Sequence, residues 1–162
     1  MISLSLTVEG RIRLSPTFKE TRMQSLTSEQ YLTLAQLTER YRQHHDRDFK
    51  LSPRRNPQMT VDMLCFQVWE DVLCGVLLTP IALSAALVPA ISMTPPAHGE
   101  QRLMDLPGGR YPFVAEVIDS ETWLWRCELL DDLSDLTSLE EANRLAQYLA
   151  NRVMTSSKSE EP

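Results

Sequence analysis

The amino-acid sequence predicts a single α+β domain, in which a mostly antiparallel sheet is flanked by an N-terminal and a C-terminal helix. Three observations carry this prediction. Apolar residues recur at helical spacing over about 28–44 and 139–153, and they alternate like strand residues over 61–69 and 113–130. The chain has 162 residues, of which 43% are hydrophobic and 23% charged, and this composition is typical of one soluble globular domain.

The chain divides into three predicted regions. Residues 1–26 are predicted to form an N-terminal extension or an edge hairpin, because apolar residues alternate with serines there and Glu9-Gly10 has the composition of a turn. A loose tail fits the same residues. Residues 27–155 are predicted to form the main domain, and residues 156–162 a polar tail.

An amphipathic helix is predicted from Ser28 to about His44. Thr27 and Gln30 have the spacing of a capping box, in which each side chain hydrogen-bonds the backbone N–H of the other. The apolar stripe of this helix is predicted to contain Tyr31, Leu34, Leu37 and Tyr41. A basic linking loop, Lys50–Gln58, is expected to follow.

The stretch Val72–Met93 contains no charged residue and is the predicted centre of the core. Its length also fits a membrane-spanning helix. Two prolines, Pro80 and Pro89, argue against a helix, because each removes a backbone hydrogen-bond donor and clashes with the preceding helical turn. We therefore predict a buried strand at Val72–Leu78, a bend at Thr79-Pro80 and a second buried segment at Ile81–Val88.

Three more strands are predicted, at Val61–Trp69, Phe113–Ile118 and Trp123–Leu130. Alternation places Leu64, Phe66 and Val68 on one face of the first strand. It places Trp123, Trp125, Cys127 and Leu129 on one face of the last.

The remaining two segments are predicted from their composition and capping residues. Thr94–Gly109 is rich in proline and glycine and should be mostly loop. Thr137 and Glu140 are predicted to open the C-terminal helix as a capping box.

Charge is distributed unevenly along the chain. The net charge of −6 disfavours non-specific nucleic-acid binding, which requires basic residues against phosphates. Residues 1–98 carry 9 acidic and 10 basic side chains, so +1, whereas residues 99–162 carry 13 and 6, so −7. The acidic half could receive a basic partner or could be an ordinary solvated surface.

Few residues suggest catalytic or metal chemistry. Cys65, Cys74 and Cys127 lie in apolar, strand-like stretches, so we predict buried thiols in a reducing cytosol. His44-His45-Asp46 could suggest a metal site, but neighbouring helical residues point about 100° apart, which favours a solvated helix end. No nucleophile elbow or phosphate-binding glycine loop is present. We predict no enzyme activity, no cofactor and no metal.

Three segments carry motifs in a fixed order. Gly75–Pro89 reads G-V-L-L-T-P-I-A-L-S-A-A-L-V-P, Leu106–Phe113 reads L-P-G-G-R-Y-P-F, and Trp125–Leu130 is a strand containing a cysteine. In order and spacing, over about residues 60–152, they resemble the HybE-type (HupJ, HoxT) assembly chaperones of NiFe hydrogenases. The chain departs from that pattern at Ile81, where the family often has tryptophan, and at Asp131-Asp132, where it has Ser-Pro.

The resemblance implies a cytoplasmic chaperone without catalysis. It implies binding to a hydrogenase small-subunit precursor, whose leader carries a twin-arginine export signal, and contact with the large subunit. Such a chaperone holds back export until assembly is complete. No nucleic acid and no stable membrane insertion are expected. The predicted partner-binding residues are Thr79, Pro80, Leu83, Leu106, Pro107, Gly108, Tyr111, Phe113, Glu128, Asp131 and Asp132.

An apolar groove beside carboxylates would suit both the arginines and the apolar run of such a leader. Glu116 and Asp119 belong to the same acidic set as Glu128, and solvation of a sheet edge is the alternative explanation for these carboxylates. Two other functional classes fit the residues. One is a small-molecule-binding domain or enzyme with a pocket near Thr79-Pro80 and Leu106–Gly109, and the other is a membrane-associated factor.

Overall fold

Seven strands and two helices make up residues 23–156, the part of the chain that the computed structural model describes. The strands are β1 (Met23–Gln24), β2 (Asp62–Trp69), β3 (Val72–Leu78), β4 (Leu83–Pro89), β5 (Gln101–Leu106), β6 (Gly109–Asp119) and β7 (Thr122–Leu130). The helices are α1 (Ser28–Leu51) and α2 (Leu139–Met154). The strands form one antiparallel sheet in the order β1-β2-β3-β4-β7-β6-β5. The predicted α+β class and its two flanking helices are confirmed.

The apolar stretch Val72–Met93 forms the central hairpin of the sheet. β3 and β4 pair along their full lengths, and nearly every residue of both strands is buried. The predicted bend at Thr79-Pro80 is confirmed. The Thr79 hydroxyl accepts hydrogen bonds from the backbone N–H groups of Ile81 at 3.2 Å and Ala82 at 3.1 Å, which satisfies donors that the strands leave unpaired. Within residues 23–156, no helix has the length and apolar character needed to cross a membrane.

The alternation of side chains gives the sheet two covered faces. On β3, Leu73 and Leu77 pack with the buried stripe of α1, whereas Cys74, Val76 and Leu78 lie on the face that α2 covers. The buried residues of α1 are Leu34, Leu37, Tyr41 and Phe49, and those of α2 are Ala142, Ala146 and Val153. The core therefore lies in two layers, one on each side of the sheet.

Both helices differ in extent from their predictions. α1 ends at Leu51 rather than near His44, because Phe49 continues the buried stripe and packing prolongs the helix. The predicted capping box at its start is confirmed. Tyr31 was predicted to lie in the stripe but is exposed, one turn before the first buried residue of the helix.

The cap of α2 also differs from the prediction. Ser138, not Thr137, is the N-cap residue, and its hydroxyl accepts a hydrogen bond from the Glu141 N–H at 3.1 Å. Thr137 instead donates its own N–H and hydroxyl to the Glu141 carboxylate, at 2.8 and 3.1 Å. Glu141 thus forms hydrogen bonds with both Thr137 and Ser138. The predicted start of the helix was wrong by one residue.

A bulge in β2 overturns the predicted face of that strand. The pairing with β3 shifts between Leu64 and Gln67, and Cys65 has a positive φ of 60°. Phe66 and Val68 consequently pack on the α1 face, whereas Leu64 packs on the α2 face. Gly75 permits this arrangement, because a Cβ there would overlap the Phe66 ring.

The segment Thr94–Gly109 was predicted to be mostly loop, but it contains the edge strand β5. β5 pairs with β6 down to Leu106↔Gly109, so β6 also begins four residues before its predicted start at Phe113. Most side chains of β5 are exposed, and an exposed edge strand lacks the apolar alternation that marks a half-buried one.

The predicted terminal regions lie largely outside the described residues. From region 1–26, only β1 is a described strand, and it pairs with β2 through Met23↔Trp69 and Gln24↔Val68. The predicted turn at Glu9-Gly10 lies outside the described residues, as does the predicted tail after Ser156.

Candidate functional site

A cleft of about 200 Å³ opens on the α1 face of the sheet. We call it the Glu116 cleft, after the carboxylate buried at its centre. Residues Tyr41, His45 and Phe49 follow one another at intervals of four, so α1 presents all three on one side. The full lining is Tyr41, His45, Asp48, Phe49, Thr79, Ile81, Ala82, Ser84, Glu116, Arg126 and Glu128.

Glu116 is the hub of a buried polar network. The Tyr41 hydroxyl donates to Glu116 Oε1 at 2.5 Å, and Arg126 Nε donates to the same oxygen at 2.8 Å. His45 Nε2 lies 3.0 Å from Glu116 Oε2, although the two groups lack the alignment of a hydrogen bond. Such partners are needed, because an unpaired buried carboxylate is strongly destabilising.

The neighbours keep Glu116 ionised despite its burial. Burial raises the pKa of Glu116, but the His45 imidazole, the Tyr41 hydroxyl and the Arg126 guanidinium together outweigh that effect and lower the pKa to about 2. Burial and the adjacent carboxylate raise the pKa of Tyr41, so the phenol stays neutral and remains a donor. The ionised carboxylate of Glu116 on β6 therefore binds Tyr41 of α1 and Arg126 of β7, and so it connects the three elements.

Two more carboxylates line the mouth of the Glu116 cleft. Asp48 Oδ2 lies 3.9 Å from His45 Nδ1, and Glu128 Oε2 lies 3.9 Å from Arg126 Nη1. The cleft thus has three carboxylates, those of Asp48, Glu116 and Glu128, around the single guanidinium of Arg126. Its chemistry is therefore suited to receiving a cationic side chain.

A second depression, of about 650 Å³, lies where β7 ends. We call it the Asp131 cavity. Its lining is Pro53, Arg54, Arg55, Asn56, Pro57, Gln58, Asp131, Asp132, Ser134, Leu136 and Thr137. Apolar, basic and acidic side chains therefore all line this cavity. The groove expected from the sequence had apolar groups and carboxylates, and the arginines are an addition to it.

The carboxylates of the Asp131 cavity are exposed and differ in their contacts. Arg54 Nη1 donates to the main-chain oxygen of Asp131 at 2.8 Å, not to its carboxylate. Within residues 23–156 the Asp131 carboxylate has no partner. The Asp132 carboxylate accepts the Ser134 N–H at 3.0 Å, and this hydrogen bond holds the pKa of Asp132 below its ordinary value.

The eleven predicted partner-binding residues fall into separate places. Thr79 and Glu128 line the Glu116 cleft, whereas Asp131 and Asp132 line the Asp131 cavity. Pro80 and Leu83 are buried at the β3–β4 hairpin, where Leu83 is fully inaccessible. Thr79 is also buried, so it reaches the cleft only as part of its floor. The other five lie on the far face of the sheet.

Those five belong to Leu106–Phe113, which packs against the C-terminal end of α2. The Gly108 N–H donates to the Val153 carbonyl at 2.8 Å, and a Cβ at Gly108 would overlap the backbone of Arg152 and Val153. Only glycine permits so close an approach. Leu106 and Phe113 are buried in the core cluster of that face, Tyr111 packs at its edge, and Pro107 precedes Gly108 in the turn. This segment therefore holds the β5–β6 turn against α2.

Three members of the Glu116 network were not predicted from the sequence: Tyr41 as a hydrogen-bond donor, His45 and Arg126. His45 was predicted to belong to a solvated helix end, but its side chain is only 19% exposed and faces Glu116. The sequence spacing could have indicated that His45 is partly buried, because His45 follows Tyr41 by four residues and so lies on the same side of the helix. Asp119, in contrast, forms an exposed ion pair with Arg40 at 2.7 Å. Among residues 23–156, no three or more His, Cys, Asp or Glu side chains are grouped to hold a metal.

Comparison with known proteins gives consistent findings. A family model described as NiFe-hydrogenase assembly, chaperone, HybE matches residues 33–162. The Hydrogenase-2 operon proteins HybE of Escherichia coli strain K12 and of Escherichia coli O157:H7 are each 28% identical over 102 residues, which is 62% of this chain and 63% of the relative. The match thus spans less than two thirds of the length of these curated relatives. The solution structure of HybE from Escherichia coli has a TM-score of 0.54 at 24% identity, covering 75% of this chain and 76% of that chain, and it supports the fold alone.

Proposed function

Because the chain belongs to the HybE family of NiFe-hydrogenase assembly chaperones, which are not enzymes, we propose that it binds a hydrogenase small-subunit precursor together with its twin-arginine leader. Binding holds back export of the precursor until assembly is complete. This role places the protein in the cytoplasm, where the precursor is made. The large subunit is a second partner, since assembly joins the two subunits.

The unpaired Asp131 carboxylate is the observation that carries the leader-binding part of this proposal. It stands beside Asp132 at the rim of a cavity of about 650 Å³, which is large enough to admit side chains of an extended segment. An arginine binds a carboxylate through two parallel, charge-assisted hydrogen bonds. Arg54 is held on the main-chain oxygen of Asp131, so it leaves that carboxylate free for an incoming guanidinium.

The apolar part of the same cavity supports contact with the apolar run of the leader. Pro53, Pro57 and Leu136 line it, and Asn56 keeps its wall in place by donating from Nδ2 to the Leu133 and Leu136 carbonyls at 2.8 and 3.0 Å. A preformed wall lowers the entropic cost of ordering a bound segment. Glu128, three residues before Asp131, extends the acidic surface toward the Glu116 cleft.

The proposal is tested by titrating the small-subunit precursor, with and without its leader, against the parent chain and the double variant Asp131→Asn/Asp132→Asn at two ionic strengths. Exposed ion pairs contribute about 0–1 kcal/mol each, so we expect roughly tenfold weaker binding of the precursor with its leader. The dependence of affinity on salt should also become flatter.

The matched control is Glu70→Gln/Asp71→Asn, an exposed acidic pair in the β2–β3 turn at the opposite end of the sheet. It changes the net charge equally and should leave affinity unchanged. Equal affinity and equal salt dependence for the parent and the Asp131 double variant would show that the leader binds elsewhere. Failure of the parent chain to bind the precursor at all would refute the function itself.

A further inference from the structure

Three sulfur-containing side chains line one cavity between β2, β3 and the C-terminal turn of α2. We call this space, of about 360 Å³, the sulfur cavity. Its sulfur residues are Cys65, Cys74 and Met154, and the Cys74 Sγ lies 3.4 Å from the Met154 Sδ. Both cysteines are free thiols. The prediction of three buried thiols is therefore confirmed for Cys74 and Cys127 but is wrong for Cys65, which is half-buried.

The β2 bulge is what brings Cys65 to this cavity. Cys65 adopts a left-handed backbone conformation with φ of 60°, which is uncommon for a residue other than glycine. The register shift between Leu64 and Gln67 turns Phe66 to the α1 face and leaves Cys65 on the α2 face with Cys74. Such a conformation is energetically unfavourable for a residue with a side chain, and residues that adopt it cluster at functional positions. The contact between Cys74 and Met154 does not by itself require this backbone conformation of Cys65.

Three exposed polar side chains also line the sulfur cavity. Gln67, Gln147 and Asn151 line it, and within residues 23–156 none of their side-chain amides has a hydrogen-bond partner. Amide N–H groups are suitable donors to thiolate sulfur. In the empty cavity the thiols are protonated, because burial raises the pKa of Cys74 to about 12 and also raises the pKa of Cys65.

We propose that Cys65, Cys74 and Met154 bind one monovalent copper ion, Cu(I), as two thiolates and one thioether. Soft thiolate and thioether ligands select Cu(I), whereas structural zinc is held by thiolate, imidazole and carboxylate groups. Binding changes no oxidation state. Each thiol loses one proton to solvent as its Cu–S bond forms, so the ion and its three ligands carry a net charge of −1. This site does not depend on hydrogenase binding.

The test is an anaerobic titration of the full chain with Cu(I) in the presence of the chromophoric chelator bicinchoninate. We expect one Cu(I) per chain to be withdrawn from the chelator, with release of about two protons in weak buffer. X-ray absorption of the loaded protein should show sulfur ligands only, with three per copper. Cys65→Ser and Met154→Leu should each weaken binding by at least about tenfold, because each removes a direct ligand.

Cys127→Ser is the matched control, since Cys127 is a buried thiol on the same sheet face that does not line the sulfur cavity. It should bind Cu(I) like the parent. Met154→Leu keeps the side-chain volume, and the circular dichroism spectrum of each variant is compared with that of the parent to check folding. The proposal is overturned if the parent withdraws no Cu(I) from the chelator. It is also overturned if folded Cys65→Ser and Met154→Leu bind as tightly as the parent, or if Cys127→Ser loses as much affinity as they do.

Discussion

Glu116→Gln should destabilise the chain by about 3 kcal/mol at pH 7. Glutamine has nearly the shape of a protonated glutamate, so this variant reports what the charge on Glu116 contributes. The pKa of that group falls from the ordinary 4.5 to about 2 in the folded chain, and each pH unit corresponds to about 1.4 kcal/mol. The side chain is 10% exposed, so solvent screens the network little.

The same reasoning sets the sign of the pH dependence. Because the folded pKa of Glu116 lies below its unfolded value, its stabilisation is complete above about pH 5 and is lost as pH falls toward 2. The difference between parent and variant should shrink by more than half by about pH 3. Urea denaturation followed by circular dichroism at several pH values measures both quantities.

Glu121→Gln is the matched control for Glu116→Gln. It removes the same charge from an exposed position in the β6–β7 turn, where surface substitutions change stability by about 0.5 kcal/mol or less. Equal free energies of unfolding for Glu116→Gln and the parent at pH 7 would refute the idea that the network stabilises the fold. A difference that stays constant from pH 7 to pH 3 would refute its assignment to the Glu116 charge.

Two further predictions concern packing. Gly108→Ala should destabilise the chain by about 1–3 kcal/mol, because the new methyl group would overlap the backbone of Arg152 and force the β5–β6 turn away from α2; a thermal midpoint equal to that of the parent would contradict this contact. Cys127→Ala should cost about 1–2 kcal/mol through lost packing beside Trp123 and Trp125, measured by chemical denaturation. If Cys127→Ala instead left stability unchanged and abolished hydrogenase maturation, the thiol would be functional rather than structural.

Elements with strong local signals were predicted well from the sequence. The capping box at Thr27 requires contacts only within one helical turn, and it is present as predicted. Val72–Leu78 was placed without error, because an apolar run bounded by a charged turn and a proline leaves few alternatives. The strand β5 was missed for the opposite reason. Its exposed residues carry little pattern, and it is a strand because β6 pairs with it.

In the candidate sites, too, features with a local sequence signal were predicted and features that depend on distant contacts were not. Asp131 and Asp132 were predicted from the sequence to bind a partner because of their charge at the end of a strand. The structure places both at one cavity, and their partner binding stays a prediction. The sequence did not indicate that Leu106–Phe113 would lie on the opposite face of the sheet from the Glu116 cleft. Which face a segment covers depends on sheet order, and sheet order is set by contacts between distant segments.

The sequence by itself determined the α+β class, the central hairpin and the family, because periodicity, caps and ordered motifs are properties of neighbouring residues. Only the tertiary structure decided which polar residues became buried partners. Tyr41 and His45 lie about 70 residues before Glu116 in the chain, and they meet it only after α1 packs on the sheet. The position of Cys65 likewise depends on a bulge that no local pattern announced. Contacts of this kind follow from packing two layers against one sheet, so they exist only in the folded chain.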